Sequence, residues 1–522
     1  MAQQSTFASG FSWQSVNVLA QVILQLGFTA IMARQLTTQN FGIMSIVLVV
    51  MGFIEIFSQI GIGPALVQRK SLDAAKVNGA FFISVYLGIG FFALLFGLAP
   101  AIEGYFGCDD AGLTELFRVV GLSFIISAVA VVPRSLIIKE MAFKKLFYSS
   151  VFAMSIGLYG VGVVLAFMDY GVWAYAWALI AQNVLLTIAY WVQCPQRIRN
   201  AWKWADVRDM IRYGGGSTLF NFFNYAASKA DVILVGKYSG MAALADQTSG
   251  DCTGRFSSTG VYDRAVWLMT LPVTILGKLS DSVLFSGISR LQDDQPAVQR
   301  VFLSGTYFIS MLVFPGCMFL VFFSEEVVLT LLGDQYLEAV PVARILFVGV
   351  AFRVLIKLSD AIVRALDAVY IASAIKGVFL VLVIGGTLWG LEHGLIGVAT
   401  NLVVAIGIQY ILMLGLSLRL AGLKAGRVIG KMMPGFMMAI ATGVVALVPF
   451  VVLSFWDVPP LIGLILATGS VLAGWLALAW LAPWLFGKGR DNVLRMLAPR
   501  LPNRGFLGRF RRRIGGDVPP SA

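Results

Sequence analysis

The sequence predicts an all-α polytopic membrane protein with fourteen transmembrane helices, twelve of which form two six-helix repeats. Three observations support this fold class. Hydrophobic residues make up 58% of the 522 residues and charged residues only 13%, about half the charged share of soluble domains. Fourteen segments are long and apolar enough to cross a bilayer. Lysine and arginine are concentrated in alternate loops, as expected where those loops face the cytoplasm.

Each predicted span is a run of about 20 mostly apolar residues, the length that a membrane-crossing helix needs. The spans cover residues 11–33, 41–64, 78–100, 116–138, 147–168, 171–193, 211–235, 261–287, 301–323, 342–364, 368–389, 394–416, 434–453 and 461–482. The seventh and the tenth carry charges and are the weakest. Losing either one would reverse the orientation of every later loop, so the loop charges test the count.

The loop charges favour an orientation with both termini in the cytoplasm. Basic residues cluster in loops predicted to be inside, such as 134–145, 197–212 and 419–431. The opposite loops hold few cations and are often acidic, as in 103–115 and 324–338. This asymmetry continues from end to end only if fourteen spans are counted, which is why we predict that number.

An internal duplication is predicted from three ordered pairs of similar segments. The pairs are separated by about 220 residues and contain Arg118 with Arg344, Gly171 with Gly394, and Gly42 with Gly260. Six spans per copy leave both copies in the same orientation, so we expect parallel repeats about an axis along the membrane normal. Chance resemblance between apolar helices is the alternative.

The predicted organisation has four parts. They are an N-terminal six-helix lobe (1–196), a C-terminal six-helix lobe (197–425), transmembrane helices 13 and 14 (426–482) and a basic cytoplasmic tail (483–522). The outer loop at 241–259 is longer than its counterpart in the first copy and is polar. Cys108 and Cys252 are both predicted outside, so they could form a disulfide.

Several function classes lack the residues that they need. The four cysteines show no CxxC spacing and His393 is the single histidine, so we expect no metal site, no cofactor and no Cys/His catalysis. There is no Walker loop and no catalytic constellation, so we do not expect an enzyme. The net charge of +12 is better explained by cytoplasmic loops than by nucleic-acid binding.

A charged stripe on span ten is the main candidate for function. Arg353, Lys357, Asp360 and Arg364 follow one another at three- or four-residue spacing, which places them on one helix face. A charge near the bilayer centre costs about 2.5–3.5 kcal/mol, so the stripe must face protein or a water-filled cavity. Arg364 is interpreted as an anchor at the cytoplasmic end. For Arg353 and Lys357 the alternatives are an ion pair with Asp360 or a ligand-facing role, and the surplus of cations favours the second.

Other polar residues in the spans extend the candidate site. The predicted substrate-facing residues of the cavity are Arg353, Lys357, Lys278, Arg264, Lys229, Gln14, Asn17 and Gln21. Carboxylates that could carry a coupling proton or cation are Asp360, Glu55 and Asp231. Lys229 and Asp231 are two residues apart, so they should not pair directly on a helix. Structural salt bridges and helix–helix hydrogen bonds are the alternatives for these residues.

Several segments resemble one branch of a known transporter superfamily. They are "ARQLTTQNFGIMSIVLVVMGF", "FSQIGIGPALVQRKSLDAAKVNGAFF", "VVPRSLIIKEMAFKKL", "YGVWAYAWALIAQN" and "GKLSDSVLFSGISRLQDD". In this order they resemble the polysaccharide-transporter branch of the multidrug/oligosaccharidyl-lipid/polysaccharide (MOP) exporter superfamily, and within it the WzxC-like Wzx flippases. The resemblance covers about residues 5–480. The loop at 241–259 and the tail after 483 depart from the pattern.

The resemblance implies a fold and a function. It implies two V-shaped bundles with the last two helices at the periphery. It also implies transfer of undecaprenyl-pyrophosphate-linked oligosaccharide between the leaflets of the bacterial inner membrane, with membrane lipids and polysaccharide polymerase or export machinery as partners. Two other functions remain open: a drug/cation antiporter, which would need a mainly acidic lumen, and a membrane polysaccharide polymerase or ligase, which would need a sizeable outer catalytic loop.

Overall fold

The prediction of an all-α protein is confirmed by a computed structural model of the chain. The structure describes residues 2–58, 62–68, 73–108, 112–196, 198–199, 222–239, 252–280, 294–366, 368–455 and 458–481. In these ranges the chain is 92% helical and contains no strand. The basic tail (483–522) and residues 241–251 of the longer outer loop (241–259) lie outside the described residues.

Sixteen helices are formed by the described residues. They are α1 (Ala2–Gln35), α2 (Thr38–Ser58), α3 (Ile62–Gln68), α4 (Ala74–Phe106), α5 (Leu113–Lys139), α6 (Phe143–Phe167), α7 (Val172–Gln193), α8 (222–238), α9 (Cys252–Ser280), α10 (Gln295–Phe322), α11 (Ser324–Leu332), α12 (Ala339–Ala365), α13 (Val369–Leu391), α14 (Gly394–Ala421), α15 (Ala425–Phe455) and α16 (Pro460–Leu481). Within α6, residues Ser155–Val163 are wound as a π-helix.

Eleven of these helices are long and apolar enough to cross a membrane. They are α1, α2, α4, α5, α6, α7, α10, α12, α13, α14 and α15. The other three predicted spans coincide with α8, α9 and α16. Helix α9 has ample length at 29 residues, but its many polar side chains reduce its hydropathy. The protein is therefore a multi-pass membrane protein, and the count of fourteen stays a prediction.

Contacts between loops agree with the predicted sides of the membrane. At the predicted outer side, a disulfide joins Cys108, just after α4, to Cys252 at the start of α9, with a Cα–Cα distance of 5.9 Å. At the predicted inner side, Lys145 Nζ donates a hydrogen bond of 3.1 Å to the carbonyl of Gln193. Each contact joins segments predicted to lie on the same side, and the cytoplasmic position of both termini stays a prediction.

Helices α2 and α9 cross at very close range through Gly42 and Gly260. A Cβ atom on Gly42 would collide with the carbonyl oxygen of Phe256, and one on Gly260 would collide with the carbonyl oxygen of Thr38. The contact is reciprocal, because each glycine faces the carbonyl of the residue four positions before the other glycine. Reciprocal contacts of this kind are found where two equivalent units meet across a two-fold axis. The crossing supports the predicted duplication.

The packing around this crossing decides the environment of the charged residues. Helix α9 packs between α2 and α12, and Tyr262, Met269 and Phe347 are fully buried there. The buried charged residues Asp263, Arg264 and Asp360 consequently face protein instead of lipid. At the opposite edge, α15 packs on α10 and α16 packs on α15 and α11. This placement supports a peripheral position for the last two helices.

Candidate functional site

The Asp263 carboxylate on α9 joins three helices. Its Oδ2 atom accepts hydrogen bonds from Ser45 Oγ on α2 at 2.8 Å and from Arg264 Nη2 at 2.6 Å. Its Oδ1 atom lies 3.3 Å from Lys229 Nζ on α8. The residue is only 4% exposed, so these partners stabilise a buried charge that would otherwise be strongly unfavourable.

Arg264 is placed differently from our expectation of a cation facing the cavity. Its side chain is buried, and its charge is neutralised by the neighbouring Asp263. The guanidinium carbon also lies 4.8 Å from the ring centre of Phe41 and 5.7 Å from that of Trp267. A desolvated guanidinium is stabilised by such a carboxylate and by such aromatic faces, which makes Arg264 part of the protein wall.

Lys229 and Asp231 point to different partners, as their two-residue spacing predicts. The Lys229 ammonium pairs with Asp263 and its side chain remains 31% exposed. Asp231 is almost fully buried and accepts hydrogen bonds of 2.9 Å from the Tyr262 hydroxyl and from the backbone N–H of Val232. Lys229 is thus the member of this pair that water or a ligand can reach.

The stripe on α12 does not form the internal ion pair that was one of its two interpretations. Asp360 lies 3.6 Å from Lys376 Nζ on α13, and among the described residues this is its ion-pair partner. Lys376 is 3% exposed and donates a second bond of 3.0 Å to Asn224 Oδ1 on α8. Within the described part of the chain, Arg353 and Lys357 form no salt bridge.

The two remaining cations of the stripe have distinct surroundings. Arg353 is half-buried and interacts electrostatically with Asp231 and Tyr262. Lys357 is also half-buried, and its aliphatic stem lies at van der Waals distance from the position that a Cβ atom on Gly277 of α9 would occupy. The Lys357 stem therefore packs beside α9.

Arg364 is exposed at the end of α12, and its Nε donates to the Asp360 carbonyl oxygen at 3.3 Å. This position fits the predicted role of an anchor.

Among the carboxylates predicted to carry coupling ions, Asp360 and Asp231 bond to side chains inside the protein, whereas Glu55 is exposed on α2.

The polar face predicted on α1 is described only in part. Asn17 is 6% exposed and accepts a hydrogen bond of 3.1 Å from Gln21 Nε2, one turn later in the same helix. The side chains of Gln14 and Lys278 lie outside the described part of the structure. Among the described residues, no group of three or more His, Cys, Asp or Glu side chains is arranged to bind a metal ion.

Two residues that bind the buried carboxylates were not predicted from the sequence. Lys376 pairs with Asp360, and Ser45 donates a hydrogen bond to Asp263. A lysine in the middle of an otherwise apolar span is itself a signal, because such a charge requires a partner inside the membrane. Lys376 carries this signal in "VYIASAIKGVFL". Ser45 carries none, because a serine in an apolar helix usually bonds to its own backbone, and Ser45 also bonds to the carbonyl of Phe41.

Comparisons with known proteins agree with the predicted resemblance. The family described as "Polysaccharide biosynthesis protein" matches residues 31–341, more than half of the chain. The lipopolysaccharide biosynthesis protein WzxC of Escherichia coli (strain K12) is 22% identical over 359 residues, which are 67% of this chain and 68% of that protein.

Solved structures show the same fold at low sequence identity. The lipid II flippase MurJ, in an inward closed conformation, matches with a TM-score of 0.66 and 14% identity, over 89% of this chain and 98% of that one. An inward-facing multidrug resistance MATE family transporter of the MOP superfamily matches with a TM-score of 0.60 and 15% identity, over 78% and 98%. The family match over more than half of the chain shows that this chain belongs to the polysaccharide biosynthesis protein family.

Proposed function

We propose that this protein is a flippase of the bacterial inner membrane. It moves undecaprenyl-pyrophosphate-linked oligosaccharide repeat units from the cytoplasmic to the periplasmic leaflet, for the synthesis of exopolysaccharide, O-antigen or capsule. The single observation that carries this proposal is a surplus of positive charge inside the helix bundle. The cations are Lys229, Arg264, Arg353, Lys357 and Lys376. The anions among the described residues around them are Asp231, Asp263 and Asp360, together with Glu55, which is exposed on α2.

The surplus falls on the side chains that remain accessible. Arg264 and Lys376 are buried and matched by their own carboxylates. Lys229, Arg353 and Lys357 are half-buried, and the last two have no salt bridge among the described residues. A pyrophosphate group supplies the negative charge that such a site needs, and charge-assisted bonds to phosphate oxygens are among the stronger hydrogen bonds in proteins. On α1, Asn17 is buried and bonded to Gln21, so the partly exposed Gln21 amide is the one suited to sugar hydroxyls.

The close crossing of α2 and α9 supports transport by alternating access between the two lobes, 1–196 and 197–425. Gly42 and Gly260 follow the predicted outer loops, so the crossing closes the outer side. On α12, which runs from outside to inside, Arg353 and Lys357 lie in the second half of the helix. The cations would therefore receive their ligand from the cytoplasmic side. Coupling to a proton or cation would use Glu55, Asp231 or Asp360.

Two alternative functions are less well supported. A drug/cation antiporter would share this fold, as the MATE match illustrates, but it would need a predominantly acidic interior. A polysaccharide polymerase or ligase would need a large outer catalytic loop. Helices α15 and α16, which coincide with the predicted segment 426–482, are proposed to lie at the periphery of the two lobes, and the basic tail (483–522) is proposed to bind an anionic membrane leaflet.

Deletion of the gene tests the proposal. We expect loss of polymer at the cell surface and accumulation of lipid-linked repeat units in the cytoplasmic leaflet, both restored by a plasmid copy. An antiporter would instead leave the polymer intact and reduce dye efflux. A polymerase or ligase would allow single repeat units to reach the periplasmic leaflet. Normal polymer export in the deletion strain would contradict the proposed function.

A further inference from the structure

Asp360 has three cationic neighbours but forms its ion pair with the one on another helix. On α12, Lys357 precedes it by three residues and Arg364 follows it by four, and both spacings bring side chains together on a helix face. The carboxylate nevertheless pairs with Lys376 of α13, at 3.6 Å. The two paired side chains are 9% and 3% exposed, so the pair is inside the protein.

Lys376 is held in place by a second helix. Its ammonium donates a hydrogen bond of 3.0 Å to Asn224 Oδ1 on α8. Lys357 is close enough to act on Lys376 electrostatically, and the two like charges repel each other. This repulsion disfavours a second pairing of the Asp360 carboxylate with the Lys357 ammonium.

Lys357 is left without an anion from its own helix. Within the described residues it forms neither a salt bridge nor a hydrogen bond, and its side chain is partly accessible. Its stem lies over Gly277, close to the predicted inner end of α9. An unneutralised ammonium in such a partly buried position is attracted to an anionic ligand much more strongly than one already paired with a carboxylate.

We propose that Lys376 is a positioning residue for the anion site: it occupies Asp360 and thereby keeps Lys357 available to the pyrophosphate group of the substrate. This inference rests on the proposed function, because it assigns the anionic group of the lipid-linked substrate to Lys357. Lys376 itself is buried and does not contact the ligand. Its role is to pair with the Asp360 carboxylate, so that this carboxylate does not neutralise Lys357.

The proposal predicts an asymmetry between the two partners of one ion pair. In Lys376→Met, Asp360 turns to Lys357, and we expect affinity for undecaprenyl pyrophosphate to fall about 10- to 100-fold, the effect of losing one charged hydrogen bond. In Asp360→Asn, Lys357 still has no carboxylate partner, and the affinity for undecaprenyl pyrophosphate should stay within about twofold of wild type. This binding assay does not measure ion-coupled transport, which Asp360→Asn is free to change. A purely structural ion pair would make both variants equally weak. Binding is measured on the purified full-length protein in detergent.

The double variant Lys376→Met with Asp360→Asn provides the decisive control. It contains neither partner, so Lys357 is free again and affinity should return to that of wild type. Lys376→Arg keeps the ion pair and should bind normally. If Lys376→Met does not fold, Lys376→Gln serves in its place, because its amide can still bond to Asn224.

The outcomes separate this inference from the proposed function. Wild-type affinity in Lys357→Met would contradict the anion site itself. Weak binding in Lys357→Met together with wild-type binding in Lys376→Met would overturn only the role of Lys376. The same result is expected if Asp360 pairs with Arg364 once Lys376 is removed. Failure of the double variant to recover would overturn it as well.

Discussion

Ser45 Oγ donates a hydrogen bond of 2.8 Å to Asp263 Oδ2, and this bond joins α2 of the first predicted repeat to α9 of the second. The two residues are 218 positions apart, the same separation as that of the two glycines at the helix crossing. The carboxylate that binds Lys229 and Arg264 is therefore part of the contact between the two halves of the protein. A change in the separation of the halves would change the environment of these cations.

Arg353→Ala combined with Lys357→Ala should abolish polymer export while the protein still inserts into the membrane. The variant removes the two half-buried cations of α12, and with them the charge proposed to bind pyrophosphate. Surface polymer and membrane-fraction immunoblots measure the two effects. Arg364→Ala, at the exposed end of the same helix, is the matched control and should export normally. Full export in the double variant would reduce the stripe to a structural feature.

Asp263→Asn should destabilise the protein strongly, by about 3–5 kcal/mol, because it leaves the buried Arg264 charge without its carboxylate. Ser45→Ala removes one hydrogen bond to the same carboxylate and should cost only about 1 kcal/mol. Thermal denaturation of the purified protein in detergent compares the two variants. Equal losses of stability would show that Arg264 does not depend on this carboxylate.

Gly42→Leu and Gly260→Leu should each prevent the close crossing of α2 and α9, because a side chain at either position collides with a backbone carbonyl of the other helix. We expect both variants to lose export and to expose the outer end of α2. A cysteine introduced at Thr38 reports this exposure through labelling with a membrane-impermeant maleimide. Gly97→Leu is the control, since no atom lies within 4 Å of a Cβ at that position. Unchanged labelling in both crossing variants would contradict a closed outer side.

Cys252→Ser should loosen the crossing of α2 and α9 at the predicted outer side. The disulfide joins the residue that follows the α4 C-cap to the first residue of α9, so little flexible chain separates the bond from either helix. Without it, we expect faster maleimide labelling of the cysteine at Thr38, and a similar acceleration when the intact disulfide is reduced. Alkylation of Cys108 under oxidising conditions, before any reduction, would show that the bond does not form. The buried Cys317 offers a control, because Cys317→Ser should leave the labelling rate unchanged.

Much of the fold follows from properties that each segment carries alone. The cost of exposing a polar group to lipid acts on every segment separately, so apolar length and loop charge were enough to predict an all-helical multi-pass protein. The spans predicted to be weakest are the seventh and the tenth. The tenth, α12, is long and apolar enough to cross a membrane, whereas α8 and α9, which coincide with the seventh and eighth spans, are not among the eleven helices that meet this criterion. Their polarity is accommodated because α9 is enclosed between α2 and α12.

The sequence by itself determined that the charges of spans seven, eight and ten must face protein or water, because lipid cannot solvate them. Only the tertiary structure decided their partners. Asp360 pairs with Lys376 instead of a cation of its own helix, Arg264 is enclosed between Asp263 and aromatic rings, and Lys357 is left without a carboxylate in the described residues. The physical reason is that an ion pair forms between atoms that are adjacent in space. Helix packing sets that adjacency, and it brings together side chains that are far apart in the chain.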